Sequence, residues 1–228
     1  MPTYFPLFLN LEDKPCLVVG GGKVATPKVD DLLQAGARIT LVAPQVSPAL
    51  QRHINEGRIN WVARRFRESD LADRFLVLAA TDDPVLHQHI HRLAEAANLL
   101  FNAVDEPASC NYIFAAIARS GPLQVAVSSA GTSPTLAGRL RDRIRDTLLG
   151  PQVGRLAQWL GRRRQTVKSR PDSYLVKRDF WRAVLDSPIP HWLDHHQHDR
   201  AQAHFDQLLT GLGETHEQVL QTQHGGTP

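Results

Sequence analysis

The chain has 228 residues, is 42% hydrophobic and 21% charged, and carries a formal charge of +3. This balance suits one compact domain with an appendage, or two small domains, and excludes collagen, disorder throughout and a membrane bundle. No stretch approaches the ~18 consecutive apolar residues of a spanning helix, and Met1–Glu12 lacks a basic region followed by a long apolar run, so the expectation is a cytoplasmic protein. Two cysteines, Cys16 and Cys110, are too few for a disulfide framework or a four-cysteine zinc site. Cys16 sits inside an apolar run and reads as a buried thiol.

Strand and helix patterns alternate through the first half. Pro15-Cys16-Leu17-Val18-Val19 is a short β-rich run ending in three glycines, as a buried parallel strand would. Ala25, Val29, Leu32 and Leu33 then recur on one helix face, with Gly36 as terminator. Arg38 to Ala43 is the second strand, Ser47-Pro48 opens a helix ending near Gly57, and Ile59 to Ala63 and Phe75 to Ala79 are the third and fourth strands. Asp83-Pro84 starts another helix, with Leu86, Ile90, Leu93, Ala94 and Ala97 on one face, before a fifth strand at Leu100 to Val104. Strand, helix, strand at this spacing implies a doubly wound, Rossmann-like parallel sheet.

The rhythm changes after Asp105. Tyr112 to Ala118 and Leu123 to Ser128 read as two strands about the turn signal Arg119-Ser120-Gly121-Pro122, a small α+β element when joined to the helix marked by Leu136, Leu140, Ile144, Leu148 and Leu149. Helical patterns follow from about Gln152 to Ser169 and from Ser173 to Leu185. Beyond Pro190 only Ala203, Phe205, Leu208, Leu209 and Leu212 suggest packing, and the last ten or so residues of the His-rich tail are expected to be disordered. The domain reading is 1–112 nucleotide-binding, 113–150 a small α+β element and 151–228 helical.

Gly20-Gly21-Gly22-Lys23-Val24-Ala25 fits G-x-G-x-x-(G/A) between a strand and a helix. Glycines there allow the tight turn and close approach to a pyrophosphate, while the helix N-terminus supplies N–H groups and positive dipole. Two features depart from that pattern: the second strand ends Val42-Ala43-Pro44 without the acid that holds a ribose 2′-hydroxyl, and Pro27 requires the helix to start close by. Asp105 follows the fifth strand, where a carboxylate can serve as general acid/base or simply form a turn. Asp83 reads as a helix N-cap, with Asp82 free to line the crevice, and in Ser128-Ser129-Ala130-Gly131-Thr132-Ser133-Pro134 an anion cradle competes with capping by Ser133. His87, His89 and His91 are spaced by two on a helix, and seven of the eleven histidines lie at or beyond His191. Neither group has metal-ligand spacing, and both read as solvated.

Together the motifs are more specific than apart. Tyr4-Phe5-Pro6-Leu7-Phe8, Val18-Val19-Gly20-Gly21-Gly22-Lys23-Val24-Ala25, Ala79-Ala80-Thr81-Asp82-Asp83, Phe101-Asn102-Ala103-Val104-Asp105 and Val127 through Pro134 stand in the order of one family. The chain resembles the dehydrogenase/ferrochelatase part of siroheme synthase, also found as a separate precorrin-2 dehydrogenase, from Tyr4 to about Trp181. The resemblance implies NAD⁺-dependent oxidation of precorrin-2 to sirohydrochlorin, often followed by insertion of Fe²⁺ as a substrate to give siroheme, in a homodimer with 113–150 as its dimerisation element. It implies Asp105 as the catalytic acid/base. It places cofactor contacts at Gly20, Gly22, Lys23, Val24, Pro44, Gln45 and Thr81, and substrate contacts at Asn102, Ser128, Ser129 and Thr132, with no dedicated metal ligand. Ala130, Ala103 and Pro27 depart from the family's usual glycine, valine and arginine. Three other readings stay open: a dehydrogenase without chelatase activity, a Rossmann oxidoreductase with another substrate, and a nucleotide-sensing module whose basic helices grip nucleic acid, although no nucleic-acid-reading motif is recognisable.

Charge is unevenly spread. Residues 139–182 hold 13 of the 26 Lys and Arg against Asp142, Asp146, Asp172 and Asp179, so this segment is +9 and the remainder −6. Precorrin-2 carries eight carboxylates, and Arg139, Arg141 and their neighbours are candidates to steer such a polyanion.

Overall fold

The computed structural model of the chain describes residues 4–224, with side chains described to Leu212. It divides into two units, one of residues 1–114 with 130–132 and one of residues 115–129 with 133–228.

The first unit is a five-stranded parallel sheet with helices along the chain between strands. Its strands are β1 (Pro15–Val19), β2 (Arg38–Val42), β3 (Ile59–Val62), β4 (Leu76–Ala79) and β5 (Leu100–Ala103), in the order β3-β2-β1-β4-β5. That order reverses direction between β1 and β4, and open α/β sheets open a ligand crevice at the carboxyl ends of strands at such a switch point. Burial explains why the strands are continuous apolar runs: Leu17, Val18, Val77, Leu78 and Ala79 are inaccessible to solvent, because both sheet faces are covered. One core packs Cys16, Val18, Leu41 and Leu78 against Val29 and Leu50. The other packs Leu17, Val19, Val77 and Phe101 against Ile90 and Ala94.

The helices of this unit are α1 (Ala25–Gln34), α2 (Pro48–Asn55) and α3 (Pro84–Ala96). Ser47 and Asp83 cap α2 and α3, each accepting a backbone N–H from the third residue onward, with proline at the first helical position. Pro27 falls at the third position of α1, where its missing N–H has no intrahelical partner to lose.

In the second unit the antiparallel pair β6 (Ala116–Ser120) and β7 (Leu123–Val127) precedes α4 (Pro134–Thr147). The hairpin turns on Gly121-Pro122 alone, with Gly121 at φ +55°, so Arg119 and Ser120, read from sequence as turn residues, end the strand. Tyr112–Ala115, read as the start of that strand, lies outside it. The helices α5 (Pro151–Lys168), α6 (Tyr174–Asp186), α7 (Ile189–Asp194) and α8 (His198–His224) follow. Trp159, Phe180, Val184, Ile189, Leu193 and Phe205 form their shared core, with Phe205 in ring contact with Trp159, Phe180 and Trp181. Helix α8 continues to His224, through part of the segment expected to be disordered; residues 225–228 of that expectation lie outside the described residues. No described helix is long and apolar enough to cross a membrane.

Candidate functional site

The glycine turn joins β1 to α1 and is held by its neighbours. Gly20 has φ +107°, a region L side chains rarely adopt, and a Cβ there would be driven into the carbonyl of Ala80. A Cβ on Gly21 would meet the carbonyl of Gln45. The Gly21 carbonyl accepts from Ser47 N–H at 2.8 Å, and the Ser47 hydroxyl meets that of Thr26 at 3.0 Å. The turn is thereby stitched to the loop carrying Pro44 and Gln45. Gly22 differs: nothing lies within 4 Å of where its Cβ would be, so the constraint there is not internal packing. Lys23 and Val24 beside it are exposed. Helix α1 starts with no side-chain cap and no acidic residue in its first turn, leaving N–H groups and dipole directed outward. An open glycine against an uncapped helix N-terminus fits the pyrophosphate of a dinucleotide.

Asp105 follows β5, is exposed, and has φ +63°. A non-glycine residue held there carries strain of about 1–3 kcal/mol and persists only where its surroundings fix it. They do so on both sides. Val104 N–H donates to Ala79 O at 2.9 Å and Glu106 N–H to Ala103 O at 3.3 Å. The Cys110 thiol accepts from Ala103 N–H and faces the Ala103 and Glu106 carbonyls, each at 3.2 Å. Burial is the main cause that raises this thiol's pKa, which suits a structural role. Cys16 is fully buried, as its sequence context implies, and burial pushes its thiol up to about 11.

Asn102 is 7% exposed; its amide nitrogen donates to Tyr112 O at 2.9 Å and faces Cys110 Sγ at 3.4 Å. Thr81, after β4, pairs through Oγ1 with His87 Nε2 at 2.9 Å. In the second unit Ser128 is exposed, and Ser129 Oγ accepts from Ser133 N–H at 3.0 Å, while Ser133 caps α4 through Leu136 N–H. Ala130 takes φ +52° and Gly131 φ +85°, so the alanine adopts the conformation for which the family's glycine is suited. Thr132 is exposed and belongs with the first unit.

Three side chains escaped the sequence reading. Lys28 on α1 is half-buried with Nζ 4.1 Å from the centre of the Phe114 ring. Burial lowers its pKa, and the charges of Asp31 and Asp105 partly restore it, so an ammonium stands in the field of Asp105. His87, read as solvated, is instead 2% exposed and paired on both ring nitrogens, to Thr81 and to Glu106. Its position four before no apolar residue but three before Ile90 and seven before Ala94 puts it on the buried face of α3, a signal the i, i+2 spacing of the three histidines obscured. Glu106 is 19 residues from His87 and gives no local signal. Among the described residues no group of three or more His, Cys, Asp or Glu is placed to hold a metal ion.

Three family models match successive segments: a putative NAD(P)-binding family over residues 7–116, the sirohaem biosynthesis protein central region over 120–147, and the sirohaem synthase dimerisation region over 152–209. Siroheme synthase of Methylobacillus flagellatus is 41% identical over 221 residues, 97% of this chain and 47% of that protein. That of Nitrosococcus oceani is 39% identical over 208 residues, 91% of this chain and 44% of that one. The chain thus spans less than half the length of these relatives. A solved structure, "SirC, precorrin-2 dehydrogenase", superposes with a TM-score of 0.72 at 24% identity, covering 91% of this chain and all of that one, and so shares the fold. Sequence motifs, strand order and three successive family matches converge: the chain resembles the N-terminal precorrin-2 dehydrogenase and dimeriser module of siroheme synthase.

Proposed function

We propose that the protein oxidises precorrin-2 to sirohydrochlorin with NAD⁺, using Asp105 as acid/base. The observation that carries this reading is an exposed aspartate whose backbone takes φ +63° at the carboxyl end of β5, in the same unit as an open glycine turn and an uncapped helix N-terminus.

The backbone N–H groups at the start of α1 and the open face of Gly22 would hold the cofactor pyrophosphate, with Lys23 and Val24 alongside and Pro44, Gln45 and Thr81 bordering the crevice. NAD⁺ supplies the hydride acceptor when bound. Oxidation removes one hydride and one proton from the macrocycle, and Asp105 takes the proton. Asn102, Ser128, Ser129 and Thr132 are the proposed substrate contacts, and the exposed Arg139 is proposed to attract the substrate carboxylates.

Insertion of Fe²⁺ is the finer part of the proposal. A tetrapyrrole brings four nitrogen ligands of its own, so a chelatase needs a base for the pyrrole N–H protons more than a protein metal cage, and Asp105 is that base. The match to a dimerisation region supports a homodimer, and the expected site of action is the cytoplasm.

The test is to add precorrin-2 and NAD⁺ to the purified protein, then Fe²⁺, following absorbance. NADH and sirohydrochlorin should form in equal amounts in the first stage and siroheme in the second. Failure of the first stage overturns the dehydrogenase reading; failure of the second alone leaves a dehydrogenase without chelatase activity.

A further inference from the structure

Helix α3 carries one buried imidazole that the proposed mechanism does not use. His87 is 2% exposed, and both ring nitrogens are occupied. Nδ1 lies 2.9 Å from Glu106 Oε1 and Nε2 lies 2.9 Å from Thr81 Oγ1. A carboxylate can only accept, so Nδ1 carries the hydrogen; in the neutral ring Nε2 then accepts from the Thr81 hydroxyl. Thr81 Oγ1 in turn accepts the N–H of Asp83 at 3.3 Å, and the His87 N–H donates to Asp83 O at 3.1 Å. The chain of bonds therefore begins in the loop after β4, passes through the interior and ends on the residue that follows Asp105.

We propose that His87 is a positioning residue, the centre of a Glu106–His87–Thr81 brace that locks the Asp105–Glu106 turn to the loop after β4 and so fixes the direction of the Asp105 carboxylate. Two observations favour this over a merely satisfied core histidine. The brace joins loops at the carboxyl ends of two adjacent strands, where the sheet places its chemistry, rather than tying a helix to its own core. It also ends one residue from a non-glycine left-handed conformation, which persists only when neighbouring contacts over-determine it. Glu106 remains 29% exposed, so without His87 its carboxylate can turn to water and release the turn.

The catalytic consequence rests on the dehydrogenase reading above; the structural consequence does not, and the two are read separately. In full-length protein, His87→Leu should speed exchange of the Val104 and Glu106 amides at least tenfold while the midpoint of thermal unfolding falls by only a few degrees. It should lower kcat for NADH formation from precorrin-2 at least tenfold, with the KM for NAD⁺ changing less than threefold. In an Asp105→Ala background the same substitution should cost nothing further, because the residue acts through Asp105. Glu106→Gln keeps an oxygen that accepts from Nδ1–H and should run at least fivefold faster than Glu106→Ala. Unchanged exchange of the Val104 and Glu106 amides in His87→Leu overturns the brace. Equal losses of kcat with and without Asp105 overturn its catalytic purpose. A wild-type protein that forms no sirohydrochlorin overturns the dehydrogenase reading instead, and the exchange result still decides the brace.

Discussion

In the parallel-sheet unit, several charged and polar side chains near strand ends are committed to fixed partners. Asp70 holds Arg64 through two hydrogen bonds of 2.6 and 2.8 Å, and His87 bridges Glu106 and Thr81. The helical unit carries its excess charge differently. Arg141 and Arg145 pair with Asp142, Arg145 also with Asp146, and Arg178 and Arg182 share Asp179, all partly or largely exposed and all local in sequence. Arg163 lies over the Trp159 ring at 3.5 Å and bonds Gln202. Residues 139–182 hold four acids against thirteen bases, and Arg139 and Arg143 are exposed on α4. Preorganised polar groups cost no reorganisation when a reaction occurs, whereas a solvated positive surface attracts a polyanion from a distance and is weakened by salt. The proposed chemistry draws on the first kind of group in the parallel-sheet unit and on the second kind of surface in the helical unit.

Substitutions can break each side of this contrast. The largest effect on stability is expected from Phe205→Ala, which empties the centre of the aromatic cluster and should cost about 3–5 kcal/mol. Three of the four tryptophans, Trp159, Trp181 and Trp192, belong to this unit, so denaturant unfolding followed by tryptophan fluorescence reads the loss directly. Gly20→Val should follow at about 3 kcal/mol, since the side chain meets the Ala80 carbonyl at a positive φ. Its signature is loss of NAD⁺ binding in protein that still shows the tryptophan transition of the helical unit.

Asp70→Asn should cost about 2 kcal/mol at neutral pH, because it removes the charge that Arg64 and the Arg67 N–H hold. Hydrogen bonding to Arg64 is the main cause that lowers the Asp70 pKa below its ordinary 3.8. The native state therefore resists protonation more than the unfolded chain does, and the stabilisation is complete above 3.8 and fades as pH falls through the lower folded value. Urea midpoints of wild type and Asp70→Asn should differ constantly from pH 5 to 8 and converge in stronger acid. The smallest effect belongs to the basic surface: Arg139→Ala with Arg143→Ala should raise the KM for precorrin-2 by about three- to tenfold, with kcat unchanged. The difference should shrink as salt is added.

The contrast also explains which parts of the molecule the sequence revealed. Parallel strands buried on both faces read as unbroken apolar runs, so β1, β2, β4 and β5 were legible to within a residue or two. Ser47, Asp83 and Ser133 were legible as caps because the cap, the proline and the first turn are contiguous. Helix α7 was hidden, since it has six residues and carries Pro190 in its first turn. Tyr112 and Phe114 looked like strand residues because they are apolar and β-prone, yet the Tyr112 carbonyl is taken by Asn102, not by a neighbouring strand. At the site, the glycine turn and the position of Asp105 announce themselves locally. The brace that holds Asp105 does not: His87, Glu106 and Thr81 meet only because α3 packs across β4 and β5, and pairing between loops leaves no periodic trace in one sequence.

The role proposed for Asp105, at the end of β5, is to take the proton that accompanies hydride loss from the substrate. Asp105→Ala measured against wild type tests it most directly, with NAD⁺ affinity and sirohydrochlorin formation followed on the same preparations. The expected result is a fall in kcat of about a hundredfold or more, within the range for loss of a general acid/base, with NAD⁺ affinity altered less than threefold. Undiminished sirohydrochlorin formation by Asp105→Ala would contradict it.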